Sequence, residues 1–83
     1  MRIYSSGKRE ETVVLPGSEA SVGEGRRWLR KVLVGHARRD DAVLVLSELL
    51  TNGVVHSRSA ELRASVLVEW DGSIHLKVAD QGT

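Results

Sequence analysis

Glu48, Asn52 and His56 follow one another at intervals of four residues within the segment Ser47-Glu48-Leu49-Leu50-Thr51-Asn52-Gly53-Val54-Val55-His56-Ser57. On an α-helix that spacing lines a carboxylate, a carboxamide and an imidazole along one stripe. The rest of the segment is strongly apolar. Burying three such groups without partners is costly, so the stripe faces either solvent or a polar cavity. A solvated face is the simplest account of it. The sharper chemistry is metal–nucleotide chemistry. An Asn amide oxygen is a hard donor suited to Mg²⁺, and a Glu one turn away could accept a proton from an attacking water or hydroxyl. A second group, Asp80-Gln81-Gly82, follows the last predicted strand. An Asp exposed at a strand end can accept a hydrogen bond from an exocyclic amine such as that of adenine, and a nearby Gly admits a flat base. Alone, D-x-G reads as an ordinary turn.

The elements that must position these residues are legible from periodicity. Residues 11–15, Glu-Thr-Val-Val-Leu, read as a short strand closed by the turn signal Pro16-Gly17. A helix opens at Ser18 or Ser21; Ser21 and Glu24 have capping-box spacing. Its apolar stripe is Val22, Leu29, Val32 and Leu33, its other faces carry Arg26, Arg27, Arg30 and Lys31, and Gly35 stops it. A second helix is capped by Asp40 or Asp41 and runs to about Ser57. Its first half, Ala42 to Leu46, is apolar all round, which predicts burial on several sides. Gly53 inside it is unfavourable by ~1 kcal/mol relative to Ala and predicts a close backbone contact.

Residues 61–79 read as a β-hairpin. Leu62, Ala64, Val66, Val68 and Trp70 alternate on one strand, and Ile74, Leu76 and Val78 on the next. A three-residue loop, Asp71-Gly72-Ser73, pairs Trp70 with Ile74, Val68 with Leu76 and Val66 with Val78, keeping the apolar set on one face. The order β-α-α-β-β predicts an α+β two-layer sandwich, with helices on one face of an antiparallel sheet. Trp28 and Trp70 are expected in the packing between the layers, His75 and His36 on the surface, and Arg38 and Arg39 in a charged linker.

The 83 residues suit one domain spanning 1–83. Hydrophobic residues are 41% and aromatics 4%, with no Phe, so the core is aliphatic. Twelve Lys and Arg against eleven Asp and Glu give a net +1, which argues against a dedicated polyanion binder. The charge is unevenly placed: residues 1–39 hold nine basic and four acidic side chains, residues 40–83 three and seven. An anionic partner would therefore meet the first half more readily. The absence of Cys removes disulfides, thiolate metal sites and thiol nucleophiles, and fits a cytoplasmic location. Neither an apolar leader nor a membrane-spanning run is read in the chain.

Taken together, the helix with E-L-L-T-N-G-V-V-H, the hairpin and the D-Q-G that follows it resemble the Bergerat (GHKL) ATP-binding domain. That domain is shared by gyrase, the heat-shock chaperones and sensor histidine kinases. The likeness is nearer to the anti-sigma-factor serine/threonine kinases, in which S-E-L-x-T-N-x-V-x-H follows an opening similar to Leu15-Pro16-Gly17-Ser18 through Arg30. It covers about residues 11–82. The resemblance implies that Asn52 ligates an Mg²⁺ bridging the ATP phosphates, that Glu48 is the general base, and that Asp80 recognises adenine. It further implies that Gly82 is the first glycine of a D-x-G-x-G box and that His56 supports the phosphates. Gly53 stands where relatives usually carry Ala, and Thr83 falls inside the D-x-G-x-G box, so the resemblance implies a C-terminally truncated member with a partial Bergerat fold.

The implied activity is phosphorylation of a Ser or Thr on an anti-sigma antagonist protein with Mg²⁺-ATP, the kinase also binding a sigma factor. The alternative is a non-catalytic interaction module that binds a sigma factor or antagonist without turnover. Direct nucleic-acid binding is not expected, since the second helix is too apolar to lie in a groove. No membrane partner is expected, and an exposed sheet edge could pair two copies into a homodimer.

Overall fold

Strand residues that alternate between aliphatic and polar side chains can bury only one face of a sheet, and here they do. The structure, a computed structural model, describes residues 8–57 and 59–80. Its elements are β1 (Arg9–Pro16), α1 (Ala20–Val32), α2 (Arg39–His56), β2 (Glu61–Val68) and β3 (Ile74–Asp80). The strands form one antiparallel sheet in the order β1-β2-β3, with Leu15 opposite Leu62 and Val13 opposite Ala64 on one side of β2. Both helices cover the face that carries Leu15, Leu62, Ala64 and Val66, all buried. The opposite face is open and carries Thr12, Arg63, Ser65 and Lys77, with a Thr12–Ser65 hydroxyl contact of 3.2 Å across it. This is the expected α+β arrangement of a three-stranded antiparallel sheet with two helices. Among the described residues no helix is long and apolar enough to cross a membrane.

The core is leucine-built. Leu29, Leu46, Leu50 and Leu62 are fully buried, each contributing on the order of 1.5–3 kcal/mol by leaving water. Helix α1 approaches α2 closely because its inward positions include Ser21 and Gly25. A Cβ on Gly25 would run into Leu50 Cδ1. One turn earlier, the Ser21 hydroxyl is buried with no hydrogen-bond partner. Ser47, buried on α2, is satisfied: it accepts from Arg26 Nε at 2.7 Å and donates to the Val43 carbonyl at 2.8 Å. The expected capping Ser residues do not cap. Glu19 is the N-cap of α1 without a side-chain bond, and Ser21 lies within the helix. Arg38 likewise precedes α2, and Asp40 and Asp41 occupy its first turn, where they favour the positive helix end. The Arg38–Asp41 contact of 3.0 Å and the Arg39–Asp40 contact of 3.6 Å tie that charged entry together.

The hairpin keeps the expected face but not the expected register. Val68 pairs with Ile74, Val66 with Leu76 and Ala64 with Val78, two residues away from the pairing the alternation favoured. The loop is Trp70-Asp71-Gly72. Glu69 N–H donates to Ser73 O at 2.8 Å, and Gly72 N–H donates to Glu69 O at 2.9 Å. A three-residue loop of this kind places its last residue in the left-handed region, and Gly72 sits there with φ +92°. Putting Gly72 in the middle of the loop would leave a Ser in that conformation. The shift ejects Trp70 from the sheet, and it is 78% exposed rather than core. Trp28 is half-buried against the core, as expected.

The tip is held from two sides. His36, expected in a surface loop, lies in the α1–α2 loop, is half-buried there and bridges that loop to the tip. Its Nδ1 accepts from Arg38 N–H at 2.9 Å, so Nε2 carries the proton and donates to Gly72 O, also at 2.9 Å. Asp71 Oδ1 accepts from Ser73 N–H at 2.9 Å. That backbone N–H, with the Ser73 hydroxyl, holds the Asp71 carboxyl below the usual carboxylate range.

Gly25→Val should lower stability by about 1–3 kcal/mol through overpacking against Leu50. Ser21→Ala should leave stability unchanged or raise it by up to ~1 kcal/mol, since it removes an unsatisfied buried hydroxyl; denaturant unfolding of both variants decides. The Asp71 contact stabilises the tip above the ordinary Asp range and is lost as pH falls through the lowered value. A carboxyl-detected NMR titration should give a midpoint below that of Asp in an unstructured peptide, and Ser73→Pro, which removes the donor, should restore it.

Candidate functional site

Helix α2 has one buried side and one exposed side. Ala42, Val43, Leu46, Ser47 and Leu50 face the core. The opposite arc carries Glu48, Asn52 and His56, all exposed and none bonded to another described residue. The same arc carries Leu44 at 62% and Val55 at 67% exposure, with Val45 beside them. Burial on several sides, expected from Ala42 to Leu46, is thus not observed: that stretch is apolar all round, yet Leu44 and Val45 are exposed.

The seat of the C-terminal half of α2 is set by Gly53. A Cβ there would lie 3.2 Å from Leu62 Cδ1 and 3.6 Å from Val78 Cγ1. Gly53 therefore rests on the inner face of β2 and β3, the close backbone contact its sequence position predicts. Leu62 is the register partner of Asp80, and even-numbered residues of β3 share the helix-facing side with Ile74, Leu76 and Val78. Asn52, next to Gly53, and Asp80, opposite Leu62, consequently lie at the same end of the α2–β3 flank. Asp80 ends β3 and is exposed. Glu48 lies one turn back along α2 and His56 one turn on. Gly82 lies outside the described residues.

Toward the other end of the same flank, α2 and β3 diverge into a groove of about 310 Å³ lined by Arg38, Asp41, Val45, Leu49, Ile74 and Leu76. It is mainly apolar and does not include Glu48, Asn52, His56 or Asp80. None of its lining residues carries a motif or a spacing that points to chemistry. The signal for it was there in Val45 and Leu49, aliphatic positions on the arc of α2 that also carries the polar stripe.

Chemically, the exposed Asn52 amide oxygen is available to a cation, and the Glu48 carboxylate to a proton. Among the described residues no three His, Asp or Glu side chains come together as a metal-holding group. A cation here would therefore depend on Asn52 together with ligands brought by another molecule, which suits Mg²⁺ and its preference for phosphate and water oxygens. Comparison with protein-family models, curated proteins and solved structures finds no match for the chain.

Gly53→Ala should be close to neutral, since ~1 kcal/mol of helix propensity opposes a contact from which Leu62 must retreat slightly. Gly53→Val should destabilise by about 1–3 kcal/mol through overpacking on Leu62 and Val78. In a ¹⁵N-HSQC spectrum its shift changes should span both the Asn52 and the Asp80 ends of the flank, as a shared seat requires.

Proposed function

We propose that the chain is the ATP-binding part of a regulatory protein resembling the anti-sigma-factor serine/threonine kinases, built on a partial Bergerat fold. The observation that supports this reading is the shared seat of Asn52 and Asp80. The Gly53–Leu62 contact and the Leu62–Asp80 pairing bring a Mg²⁺-type ligand and an adenine-type acceptor to one end of one flank. Mg²⁺-ATP, when bound, supplies the phosphoryl group. Asn52 would hold the cation through its amide oxygen, Asp80 would accept from the adenine amine, and His56, one turn from Asn52 along α2, would support the phosphates. Glu48, exposed and bonded to no other described residue, takes the proton of a Ser or Thr hydroxyl on an antagonist protein. Phosphoryl transfer is otherwise mostly positioning and electrostatic stabilisation, and the reading assigns the phosphate cradle to groups beyond these four side chains.

A second reading has its own observation. Leu44, Val45 and Val55 are exposed on the same arc as the polar stripe, and the groove beside them is apolar. That arc suits a protein surface as well as a nucleotide, so a non-catalytic module binding a sigma factor or its antagonist is the alternative.

Calorimetric titration of Mg²⁺-ATP separates the two. The nucleotide reading expects saturable, Mg²⁺-dependent binding that Asn52→Ala weakens at least tenfold, about 1.4 kcal/mol, with the fold retained. Equal affinity in wild type and variant rejects the site, and absence of binding by folded wild type leaves the interaction module.

A further inference from the structure

We propose that the outer face of α1 is a docking surface for an acidic protein segment. The inference is independent of the nucleotide reading. Arg26, Arg27, Arg30 and Lys31 are exposed, and at 100° per residue they fall within an arc of about 140°. The opposite side of the helix, Ser21, Gly25, Leu29 and Val32, is buried in the core. Val34, 73% exposed, extends the line of the stripe beyond the last turn. The Arg27 guanidinium lies back along the helix, with Nη1 3.5 Å from the Cβ position of Gly23. The cationic surface thus runs from Gly23 to Val34.

What sets this stripe apart is that its cations stand outside the ion pairs that other described arginines make. Elsewhere Arg9 pairs with Glu11, Arg38 with Asp41 and Arg39 with Asp40. Among the described residues none of the four α1 cations has an ion pair. Arg26 uses its Nε on Ser47, and Glu19 and Glu24 make no ion pair with the stripe. Arg26 with Arg30, and Arg27 with Lys31, are like-charge pairs at i, i+4, which are unfavourable in an isolated helix. Arg30 and Lys31 gain from the negative helix end, but Arg26 and Arg27 do not. An opposed row of carboxylates would supply the ion pairs that the described residues do not give this stripe. Three of its four members are Arg, whose planar fork matches a carboxylate with two parallel bonds.

Of the anionic partners, a protein fits best. Four cations on 13 residues give a short footprint for duplex DNA, and a net charge of +1 lacks the basic excess of a dedicated polyanion binder. A membrane surface would need an outward apolar face, and α1 has turned its apolar face inward. A partner helix bearing Glu or Asp one turn apart repeats at the same pitch as the pairs 26/27 and 30/31.

The test uses the full chain and a 21-residue Ala-based helical peptide with Glu at i, i+4, i+7 and i+11. A Lys counterpart, a 20-bp duplex and phosphatidylserine vesicles serve as comparisons. The proposal expects saturable, salt-sensitive binding of the Glu peptide, with amide shift changes confined to residues 23–34. It expects at least tenfold weakening in Arg27→Glu/Arg30→Glu/Lys31→Glu, and binding of the Lys peptide by that variant. Should the triple reversal fail to fold, the Gln version of the same three positions must show the weakening. No saturable binding, shift changes elsewhere, undiminished binding by a folded variant, or tighter binding of duplex or vesicles overturns the proposal.

Discussion

The contact between Gly53 on α2 and Leu62 on β2 ties every layer of this molecule together. Leu62 occupies the central strand, with Leu15 as its partner on β1 and Asp80 on β3. It is fully buried, and the α2 backbone comes down on it where a side chain would otherwise intervene. A glycine in mid-helix is a poor choice for helix propensity, so its presence is explained by the distance it permits rather than by the helix itself. Because one residue pairs with strands on both sides and lies under the helix above, the exposed residues next to those points inherit their relative positions. Asn52 and Asp80, 28 residues apart in the chain, share an end of the flank for this reason.

Those parts of the fold that follow from periodicity were legible in the sequence. The element order, the face that each strand buries and the C-terminal limits of both helices all come from patterns of period two or 3.6, together with Gly35 and Ser57 as stops. The hairpin register was not, because alternation constrains only parity. A shift of two residues leaves Val66 and Val68 facing the same side, and the choice passes to the turn, where Gly72 must take the left-handed position. Trp70 illustrates the consequence: its place in the alternation reads as core, while the turn makes it the exposed shoulder of the tip. Ser18, Ser21, Asp40 and Asp41 show a second limit. Residue types suited to capping occur near both helix starts, yet the caps are Glu19 and Arg38, and Ser21 lies buried within α1.

Of the candidate site, the stripe Glu48-Asn52-His56 was readable from spacing, and its exposure agrees with either a solvated face or an open site. That Asn52 and Asp80 share one end of the flank was not readable from spacing, because it depends on a tertiary seat. The groove beside Val45 and Leu49 escaped for a related reason. An all-round apolar helix reads as deeply buried, and only the packing reveals that half of that surface has no neighbour among the described residues.

That mismatch bears on what the exposed arc of α2 is for. A purely solvated helix face is ordinarily filled with Lys, Glu, Arg and Gln, whose side chains stay hydrated at little loss of helix propensity. Here Leu44, Val45 and Val55 interleave with Glu48, Thr51 and Asn52, so apolar and hydrogen-bonding groups alternate within one turn of each other. Such a mosaic suits a ligand or surface that is itself part apolar and part polar, because each polar group can be met while the aliphatic surface between them leaves water. A nucleotide meets that description through its base and phosphates, and a protein through an anchor side chain and its rim. The cationic stripe on α1 has no such mixture: apart from Val34 at its end it presents charge alone. The two outer helix faces therefore differ in chemical character, one amphipathic and one cationic.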